Sequence, residues 1–254
     1  MAPYGLRAGG ILRYPLSILK HRFRKFVDYM AGHGAQVLAA MLLIVIGTWI
    51  FVLMTDLVRN GKTDNFDRRV IHYFRWHKRP RVLEDFASDI TALGGPGCWM
   101  LITMMISGYL AMQRRWRMAL WLLATVSSGA IVTIFLKGSI DRVSPGHPAW
   151  LPASGSYTSY PSGHSMMAAM VYLTLGSILA QLANGRLTKL YILLMAALVA
   201  FLVGATRVYL CIHWPTDVLA GWAAGLVWAL LCWVVTERLR QIRQKRKLQQ
   251  RVVL

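Results

Sequence analysis

Acidic residues and cysteines are both scarce in this chain. It has only 10 Asp and Glu against 29 Lys and Arg among 254 residues, which gives a formal net charge of +19. Three cysteines are too few for a disulfide framework, and their spacing is not that of a metal site. We expect Cys98, Cys211 and Cys232 to be small buried apolar side chains, with one disulfide between Cys98 and Cys211 as the alternative.

Charged residues are nearly absent from six long stretches, and the whole chain is 56% hydrophobic. That content excludes an ordinary soluble domain, and a nucleic-acid-binding protein would not interleave its charge with long uncharged runs. A helix that crosses a bilayer needs about 20 mostly apolar residues. We therefore predict an all-α integral membrane protein with six transmembrane helices, at 35–58, 98–112, 118–136, 165–183, 190–206 and 218–236. The second and fifth stretches are short, which leaves five helices as the alternative.

The positions of Lys and Arg predict the orientation of these helices. With a cytoplasmic N-terminus, the inner segments are 1–34, 113–117, 184–189 and 237–254, and they hold 18 of the 29 Lys and Arg. Cytoplasmic flanks carry the excess of these residues, so both termini are expected inside the cell. The positive charge is then explained by the orientation of the helices in the membrane and by attraction to anionic lipids. No nucleic acid partner is expected. Nucleic acid binding by the basic run 238–251 is the remaining alternative.

The chain is predicted to have three segments. Residues 1–34 lack an uninterrupted apolar core followed by a cleavage site, so we expect no secretory signal peptide. Their apolar residues recur every three or four positions among basic ones, which predicts a basic amphipathic cytoplasmic segment with a helix in the membrane interface. A disordered tail is the alternative. Residues 35–236 form the six-helix membrane domain, and residues 237–254 form a basic cytoplasmic tail.

The outer segment 59–97 is too polar to cross the membrane. Apolar residues recur at helical spacing in its second half, and a Gly-Gly-Pro-Gly run then ends the helix. These residues are Val82, Leu83, Phe86, Ile90 and Leu93. We predict an outer-face amphipathic segment that forms a wall of the lipid access path. Its acids are expected to face solvent: Glu84, Asp85 and Asp89.

The tetrapeptide Pro161-Ser162-Gly163-His164 stands directly before an apolar stretch. The first N–H groups of a helix lack intrahelical partners and carry partial positive charge, so a helix start binds phosphate readily. Gly163 allows a close backbone approach, while Ser162 caps the helix or donates to a phosphate oxygen. His164 is placed to protonate a leaving oxygen. An ordinary Ser-Gly helix start with an interfacial histidine is the alternative.

A second group, Arg207-(x5)-His213-(x3)-Asp217, links the fifth and sixth predicted spans. Pro215 at the first position of a helix puts Asp217 in the first turn, from which it reaches back to one nitrogen of His213. A carboxylate on one imidazole nitrogen leaves the other as a base or nucleophile. Taken singly, Asp217 is also typical of a helix N-terminus, and Arg207 of a helix end near the interface.

Lys137 ends the third predicted span, and the count of spans puts it at the same outer face as the two groups above. Lone lysines at helix ends are usually interfacial anchors, but beside a phosphate pocket Lys137 becomes a candidate ligand. Arg142 and His147 follow in the loop, with Ser144 and Pro145 between them. Histidines, a carboxylate, cations and a helix start at one face predict a site that cleaves a phosphoester.

These residues resemble motifs of the type 2 phosphatidic acid phosphatase family, a group of metal-independent lipid phosphatases and related acid phosphatases. Residues 161–164 are similar to its second motif and residues 207–217 to its third. The resemblance implies that His213 attacks phosphorus, that Asp217 orients it and that His164 protonates the leaving group. It also implies that four residues hold the phosphoryl oxygens: Lys137, Ser162, Gly163 and Arg207. No metal and no cofactor are expected.

The first motif of the family departs from its usual form here. In the family, Lys is followed after six residues by Arg-Pro, whereas Lys137 is followed at that spacing by Ser144-Pro145. A phosphate-binding arginine is therefore missing, and Arg142, two places earlier, is the candidate to turn inward and bind substrate instead. A lost contact between Arg and a dianion costs about 1.5–3 kcal/mol, so we expect slower turnover rather than none.

The sequence thus predicts dephosphorylation of a lipid phosphate or pyrophosphate at the outer, periplasmic face of a bacterial inner membrane, with the lipid and the bilayer as partners. Undecaprenyl pyrophosphate is the first candidate substrate. Phosphatidylglycerol phosphate and lipid A compete with it, and phosphoryl transfer to a second lipid is a variant. A non-catalytic protein that binds anionic lipids is the alternative from another class. A transporter is disfavoured because no span has a charged residue at its middle.

Overall fold

The computed structural model describes residues 16–77, 79–146 and 158–252, and within these ranges every regular element is a helix. The helices are α1 (Leu16–Arg59), α2 (Asp64–Trp76), α3 (Arg81–Ala92), α4 (Pro96–Met112), α5 (Trp116–Leu136), α6 (Gly163–Leu182), α7 (Arg186–Tyr209) and α8 (Pro215–Val252). An isolated β-bridge between Val143 and Thr158 joins the described ends of the loop from α5 to α6. The predicted all-α class is confirmed.

Five helical segments are long and apolar enough to cross a membrane. They are Gly34–Arg59, Trp116–Leu136, Gly163–Leu182, Arg186–Tyr209 and Pro215–Gln244. The pair α3 and α4, bent by 50° at the break between them, is a sixth candidate. At 1.5 Å per residue, the 17 residues of α4 span only about 26 Å, less than a hydrocarbon core of about 30 Å. The structure therefore agrees with six spans, the predicted number, and with the alternative of five.

Helices α7 and α8 extend beyond the apolar runs that predicted them. α7 begins directly after Gly185, whose φ is 85°, and its last turn includes Arg207. α8 begins at Pro215 and continues as helix to Val252, through the predicted basic tail. An apolar run marks only the part of a helix that lies in hydrocarbon, because the same helix continues into the polar interface.

Helix α6 is the centre of the bundle. Twelve of its 20 residues are buried, including the uninterrupted run 165–171, so the helix is covered on all sides. Its most extensive contacts are with α7 and α8, and α5 also packs against it. The core around α6 includes Leu122, Met170 and Ile178, all of them almost completely buried.

Two glycines in α8 allow it to approach the start of α6 closely. A Cβ added to Gly221 would lie 2.6 Å from the carbonyl oxygen of Ser162, and a Cβ on Gly225 would overlap the carbonyl oxygen of Met166. Small residues four positions apart let helix backbones meet in membrane proteins. The first turns of α6 and α8 are therefore neighbours, and this contact positions the site.

The outer segment contains two amphipathic helices, α2 and α3, of which only α3 was predicted. On α2, Phe66, Tyr73 and Trp76 are exposed, whereas Asp67 and Ile71 are buried. The polar residue Asp67 thus faces the protein, and the aromatic residues share the exposed side with basic residues such as Arg68, as expected of a helix in the membrane interface.

The predicted apolar side of α3 also faces outward. Val82, Leu83 and Phe86 are exposed, and Ala87 is buried. Among the acids of α3, Asp85 and Asp89 are exposed, and Glu84 pairs with Arg79 at 2.9 Å.

The chain divides into two compact units, Met1–Ala40 and Met41–Leu254. The predicted interfacial helix falls in the first half of α1, where the side chains lie outside the described residues, so its amphipathic character stays a prediction. The division into segments 1–34, 35–236 and 237–254 also stays a prediction. The thiols of Cys98, Cys211 and Cys232 are all free, and Cys211 is buried.

Candidate active site

Helix ends bring the three sequence motifs together. One residue follows the end of α5, two begin α6, one lies in the last turn of α7 and one in the first turn of α8. In chain order they are Lys137, Gly163, His164, Arg207 and Asp217. The N–H of Ser162 donates to the carbonyl of Asp217 at 3.0 Å, which ties the second motif to the third.

The start of α6 is capped, and its glycine lies close to Lys137. The hydroxyl oxygen of Ser162 accepts hydrogen bonds from the N–H and the hydroxyl of Ser165, so its side chain serves as the N-cap. A Cβ added to Gly163 would lie 3.6 Å from Cγ2 of Thr133 and 4.0 Å from Nζ of Lys137. The bare backbone of Gly163 therefore faces an ammonium group across a gap that a side chain would fill.

His213 lies in the loop between α7 and α8, with only 6% of its surface exposed. Its Nδ1 is 3.2 Å from the hydroxyl of Ser159 and 3.6 Å from Oδ2 of Asp217. The Ser159 hydroxyl also donates to Asp217, so it bridges the carboxylate and the imidazole. Since Nδ1 is directed toward these two groups, Nε2 is the ring nitrogen left to react.

The surroundings of His213 favour its neutral form. Burial makes the largest contribution and lowers the pKa of His213, and the charges of Arg207 and Lys137 lower it further. Asp217 acts in the opposite direction through its hydrogen bond and its charge. A neutral imidazole has a free lone pair, as a nucleophile requires.

The carboxylate of Asp217 is completely buried and is held by donors from three parts of the chain. Oδ2 accepts from the Ser159 hydroxyl and, at 3.0 Å, from the N–H of Trp214. Oδ1 accepts from Nη1 of Arg142 at 2.7 Å. These bonds fix the direction in which the carboxylate points relative to His213.

Lys137 and Arg207 have no carboxylate within ion-pair distance among the residues that the structure describes. Arg207 donates from Nη1 to the Thr91 hydroxyl at 3.3 Å, and its buried Nε has no partner. Burial and the neighbouring Arg207 lower the pKa of Lys137, whereas Asp217 raises it. Arg207 is half-buried and Lys137 is exposed, and two neighbouring cations without a counter-ion favour the binding of an anion.

Arg142 is bound differently, although it lies nearby. In addition to Asp217, it donates to the Thr216 hydroxyl at 2.8 Å and, from Nη2, to Oδ2 of Asp67 at 2.6 Å. Its side chain is 11% exposed and its guanidinium lies 5.3 Å from the ring centre of Trp214. The guanidinium is thus hydrogen-bonded to two carboxylates, and a third, that of Asp64, lies 3.6 Å from Nη2. The predicted contact of Arg142 with phosphate stays a prediction.

Ser144, at the position where the family has arginine, ties two loops of the site together. Its hydroxyl donates to the carbonyl of Ile212, directly before His213. The adjacent Pro145 carbonyl accepts from Arg75 at 2.6 Å. His147 lies outside the described residues.

His164 is half-buried beside the break between α3 and α4. A Cβ on Gly95 would lie 3.9 Å from Nε2 of His164, and one on Gly94 would lie 3.2 Å from its carbonyl oxygen. His164 is also within electrostatic range of Arg207, Lys137 and His213. A leaving group that takes a proton from His164 would therefore lie beside the Gly94-Gly95 bend.

Sequence reasoning missed three residues that hold the site: Asp67, Ser159 and Thr216. Ser159 and Thr216 stand within two residues of motif residues, and that proximity was the available signal. The sequence contained no such signal for Asp67, because Asp67 lies 75 residues from Arg142 in sequence. Within the described residues, no group of three or more His, Cys, Asp or Glu could hold a metal ion, and metal independence stays a prediction.

Comparisons with known proteins agree with the motifs. The model of the PAP2 superfamily matches residues 117–241. Phosphatidylglycerophosphatase B of Bacillus subtilis (strain 168) is 33% identical over 164 residues, which cover 64% of this chain and 80% of that protein. The undecaprenyl-diphosphatase of Sulfolobus acidocaldarius is 34% identical over 67 residues, 26% of this chain and 28% of that protein.

A solved structure has the same fold. The crystal structure of a transmembrane PAP2-type phosphatidylglycerolphosphate phosphatase from Bacillus subtilis matches with a TM-score of 0.69 and 27% identity. The match covers 77% of this chain and 96% of that one. The predicted family is thereby confirmed: this chain belongs to the PAP2 superfamily, and it is a multi-pass membrane protein that hydrolyses lipid phosphates.

Proposed function

We propose that this protein removes the terminal phosphoryl group of a membrane lipid through a phosphohistidine formed on His213. One observation carries the proposal. The buried pair His213 and Asp217 lies in the charge field of Lys137 and Arg207, and neither cation has an acidic partner among the described residues.

The reaction has two steps. Nε2 of His213 attacks phosphorus, the bond from phosphorus to the lipid oxygen breaks, and His164 gives its proton to that oxygen. A water molecule then attacks the phosphohistidine and the N–P bond breaks. His164 takes the proton of the water, and inorganic phosphate leaves. Asp217 stabilises the positive imidazole ring in both steps, as the carboxylate of a catalytic triad does.

Four groups stabilise the charge on the phosphoryl oxygens. Lys137 contributes a point charge and Arg207 a fork of N–H donors. The backbone N–H groups at Gly163, with the hydroxyl of Ser162, contribute the start of α6. Donors that are fixed before the reaction stabilise the transition state without reorganisation.

Phosphatidylglycerol phosphate is the substrate we propose first. The sequence alone ranked undecaprenyl pyrophosphate higher. The new order rests on the relative matched over most of its length, which is named phosphatidylglycerophosphatase B. Undecaprenyl pyrophosphate is the second candidate because a shorter match is named undecaprenyl-diphosphatase. Both lipids end in a phosphoryl group. Lipid A is the third candidate substrate.

The site is proposed to face outward from the cytoplasmic membrane of a bacterium, into the periplasm where there is one. The support is the excess of Lys and Arg in the segments at the opposite ends of the helices. The lipid headgroup would enter from the outer leaflet, with its tails between helices.

The first test is phosphate release by the purified protein in detergent with EDTA. The substrates are phosphatidylglycerol phosphate, undecaprenyl pyrophosphate and lipid A, and His213→Ala is the inactive control. We expect release to survive chelation and to vanish in the control. Acid-quenched enzyme should carry phosphate on histidine. Release by His213→Ala at the wild-type rate would refute the phosphohistidine, and no release from any lipid would favour the lipid-binding alternative.

A second test uses the leaving group to examine His164. An alcohol leaves as a strongly basic alkoxide and needs a proton, whereas the phosphate that leaves a pyrophosphate is a much weaker base. Loss of a general acid costs about 10²–10⁴ in rate, so His164→Gln should slow the monoester by that factor and the pyrophosphate much less. Equal losses on both substrates would contradict the general-acid role.

A further inference from the structure

Asp67 is a buried acid on a helix that otherwise lies at the surface. It belongs to α2 at the outer end of the bundle, and its side chain is completely buried. It accepts from Arg142 at 2.6 Å, from the Thr216 hydroxyl at 2.6 Å and from the Thr216 N–H at 3.2 Å. Asp67 therefore holds both the guanidinium beside the site and the first turn of α8.

Arg142 connects Asp67 to Asp217. A guanidinium presents its donors in a rigid fork, so fixing Nη2 on one acceptor also fixes the direction of Nη1. Here Nη2 is fixed on Asp67, and Nη1 binds Oδ1 of Asp217. Burial opposes the charge of Arg142, but Asp217 and Asp67 together raise its pKa above the ordinary value.

The charge of Arg142 is shared mainly between the two buried carboxylates of Asp67 and Asp217, while the half-exposed carboxylate of Asp64 lies farther away, at 3.6 Å. If Asp67 were neutral, the guanidinium would compensate more of the charge of Asp217, and less negative charge would be left for the imidazole. With Asp67 ionised, the three groups together remain negative. That excess is needed because the nucleophilic ring becomes positive when it is phosphorylated.

We propose that Asp67 is a positioning residue for phosphoryl transfer, which acts through Arg142 to fix the direction of Asp217 and to preserve the negative charge that Asp217 presents to His213. This inference rests on the proposed phosphohistidine mechanism. It assigns Arg142 to the scaffold of the site and leaves phosphate binding to Lys137 and Arg207.

The groups that face His213 make this charge important. They come from every element around it: Lys137 after α5, Ser159 in the loop before α6, His164 on α6, Arg207 on α7 and Asp217 on α8. The lysine and the arginine are positive, and both disfavour a positive ring. Asp217, supported by Asp67, is the group that opposes them.

The test compares Asp67→Asn with the same exchange at Asp85, which is exposed on α3. For Asp67→Asn we expect kcat to fall about tenfold or more, with KM unchanged. A tenfold fall corresponds to a loss of electrostatic stabilisation of the positive ring equal to about one pKa unit. The acid limb of kcat/KM should move to lower pH, because the neutral ring is favoured when a negative neighbour is lost. Asp67→Glu, which restores the charge, should recover part of kcat. Asp85→Asn should match the wild type.

Folding is monitored on the same samples by size-exclusion chromatography and thermal unfolding, and rates refer to the monodisperse protein. If Asp67→Asn unfolds more easily but keeps the kcat and the pH profile of the wild type, Asp67 is merely structural and the proposal is wrong. If Asp67→Asn does not fold, Arg142→Lys replaces it. This exchange keeps the charge but loses the fork, and kcat should again fall with KM unchanged.

A wild-type kcat in Arg142→Lys would overturn the proposal. Failure of the proposed function looks different, because wild type and His213→Ala would then release phosphate equally.

Discussion

Two sets of cations lie at the same end of the helices and are held in opposite ways. Lys137 and Arg207 have no acidic partner among the described residues, whereas Arg142 is bound by Asp67 and Asp217. A half-buried cation without a partner, such as Arg207, is costly to fold, and neighbouring cations are stabilised when an anion binds. The charge of a paired cation is already compensated by its carboxylate partners within the fold. The partners of each cation therefore distinguish the groups that we propose bind phosphate from the group that holds the site together.

The largest effect is expected where the paired cation is removed. Arg142→Met leaves the buried carboxylates of Asp67 and Asp217 without their common counter-charge. Breaking a buried ion pair on one side costs about 3–5 kcal/mol of stability, so the temperature of unfolding in detergent should fall sharply. Arg243→Met, at an exposed position of α8, is the matched control. An Arg142→Met protein as stable as this control would remove the distinction between the two sets.

Removing an unpaired cation should give the opposite result. Arg207→Met takes away a proposed donor to the phosphoryl oxygens. Such a contact is worth about 1.5–3 kcal/mol, so kcat/KM should fall about ten- to hundredfold. The temperature of unfolding should stay the same or rise, because a partly buried charge without an acidic partner is lost. The measurement is phosphate release and thermal unfolding on one preparation. A large loss of stability would mean that Arg207 also holds the fold.

A smaller effect is expected from Gly163→Ala, which fills the space between Lys137 and the helix start. The new methyl group meets Thr133 and Lys137 at ordinary contact distances of 3.6 and 4.0 Å, so the fold should tolerate it. The methyl group would, however, crowd an anion bound at the helix start, and overpacking of this kind is destabilising. Inhibition by inorganic phosphate or vanadate should therefore weaken about tenfold. Gly108→Ala on α4, where an added Cβ meets nothing within 4 Å, should leave inhibition unchanged. Equal inhibition of both variants would place the phosphate elsewhere.

The smallest effect is expected from adding a cation. Ser144→Arg restores the arginine of the family motif, and kcat/KM should rise about fivefold, since one net hydrogen bond contributes about 1 kcal/mol. Ser144→Ala removes the bond to Ile212 without adding charge and serves as the control. If Ser144→Arg brings no gain while Arg142→Lys weakens inhibition by phosphate, Arg142 is the phosphate ligand that the sequence predicted.

The bundle was predictable because lipid imposes a simple condition on sequence. A run of about 20 apolar residues has few other uses, and five such segments and a bent pair are present. The meeting of Lys137, the tetrapeptide 161–164 and Asp217 followed from counting spans, since all are at helix ends on one side. The catalytic role of each of these residues stays a prediction for the experiments above.

The support of the site was not predictable, and Asp67 shows why. The acids that were expected to face solvent are Glu84, Asp85 and Asp89, and the sequence predicted no position for Asp67. In α2 the outward side carries Phe66, Tyr73 and Trp76, while Asp67 faces the protein. The exposed side of α2 also carries Arg68, Arg69 and Arg75, so the pattern of polar and apolar residues does not indicate that an acid of this helix is buried. Nothing local in the sequence distinguishes this arrangement from an ordinary surface helix.

The contact between α6 and α8 also sets the order in which the enzyme becomes active during synthesis. Lys137 and His164 leave the ribosome before His213 and Asp217, and Gly221 and Gly225 follow them. The start of α6 meets its partner only when α8 has inserted and its glycines have reached the backbone of Ser162 and Met166. On the proposed mechanism, a nascent chain that has inserted only α1 to α7 has part of the phosphate site but no positioned nucleophile, so it should not attack the lipids around it before α8 has packed.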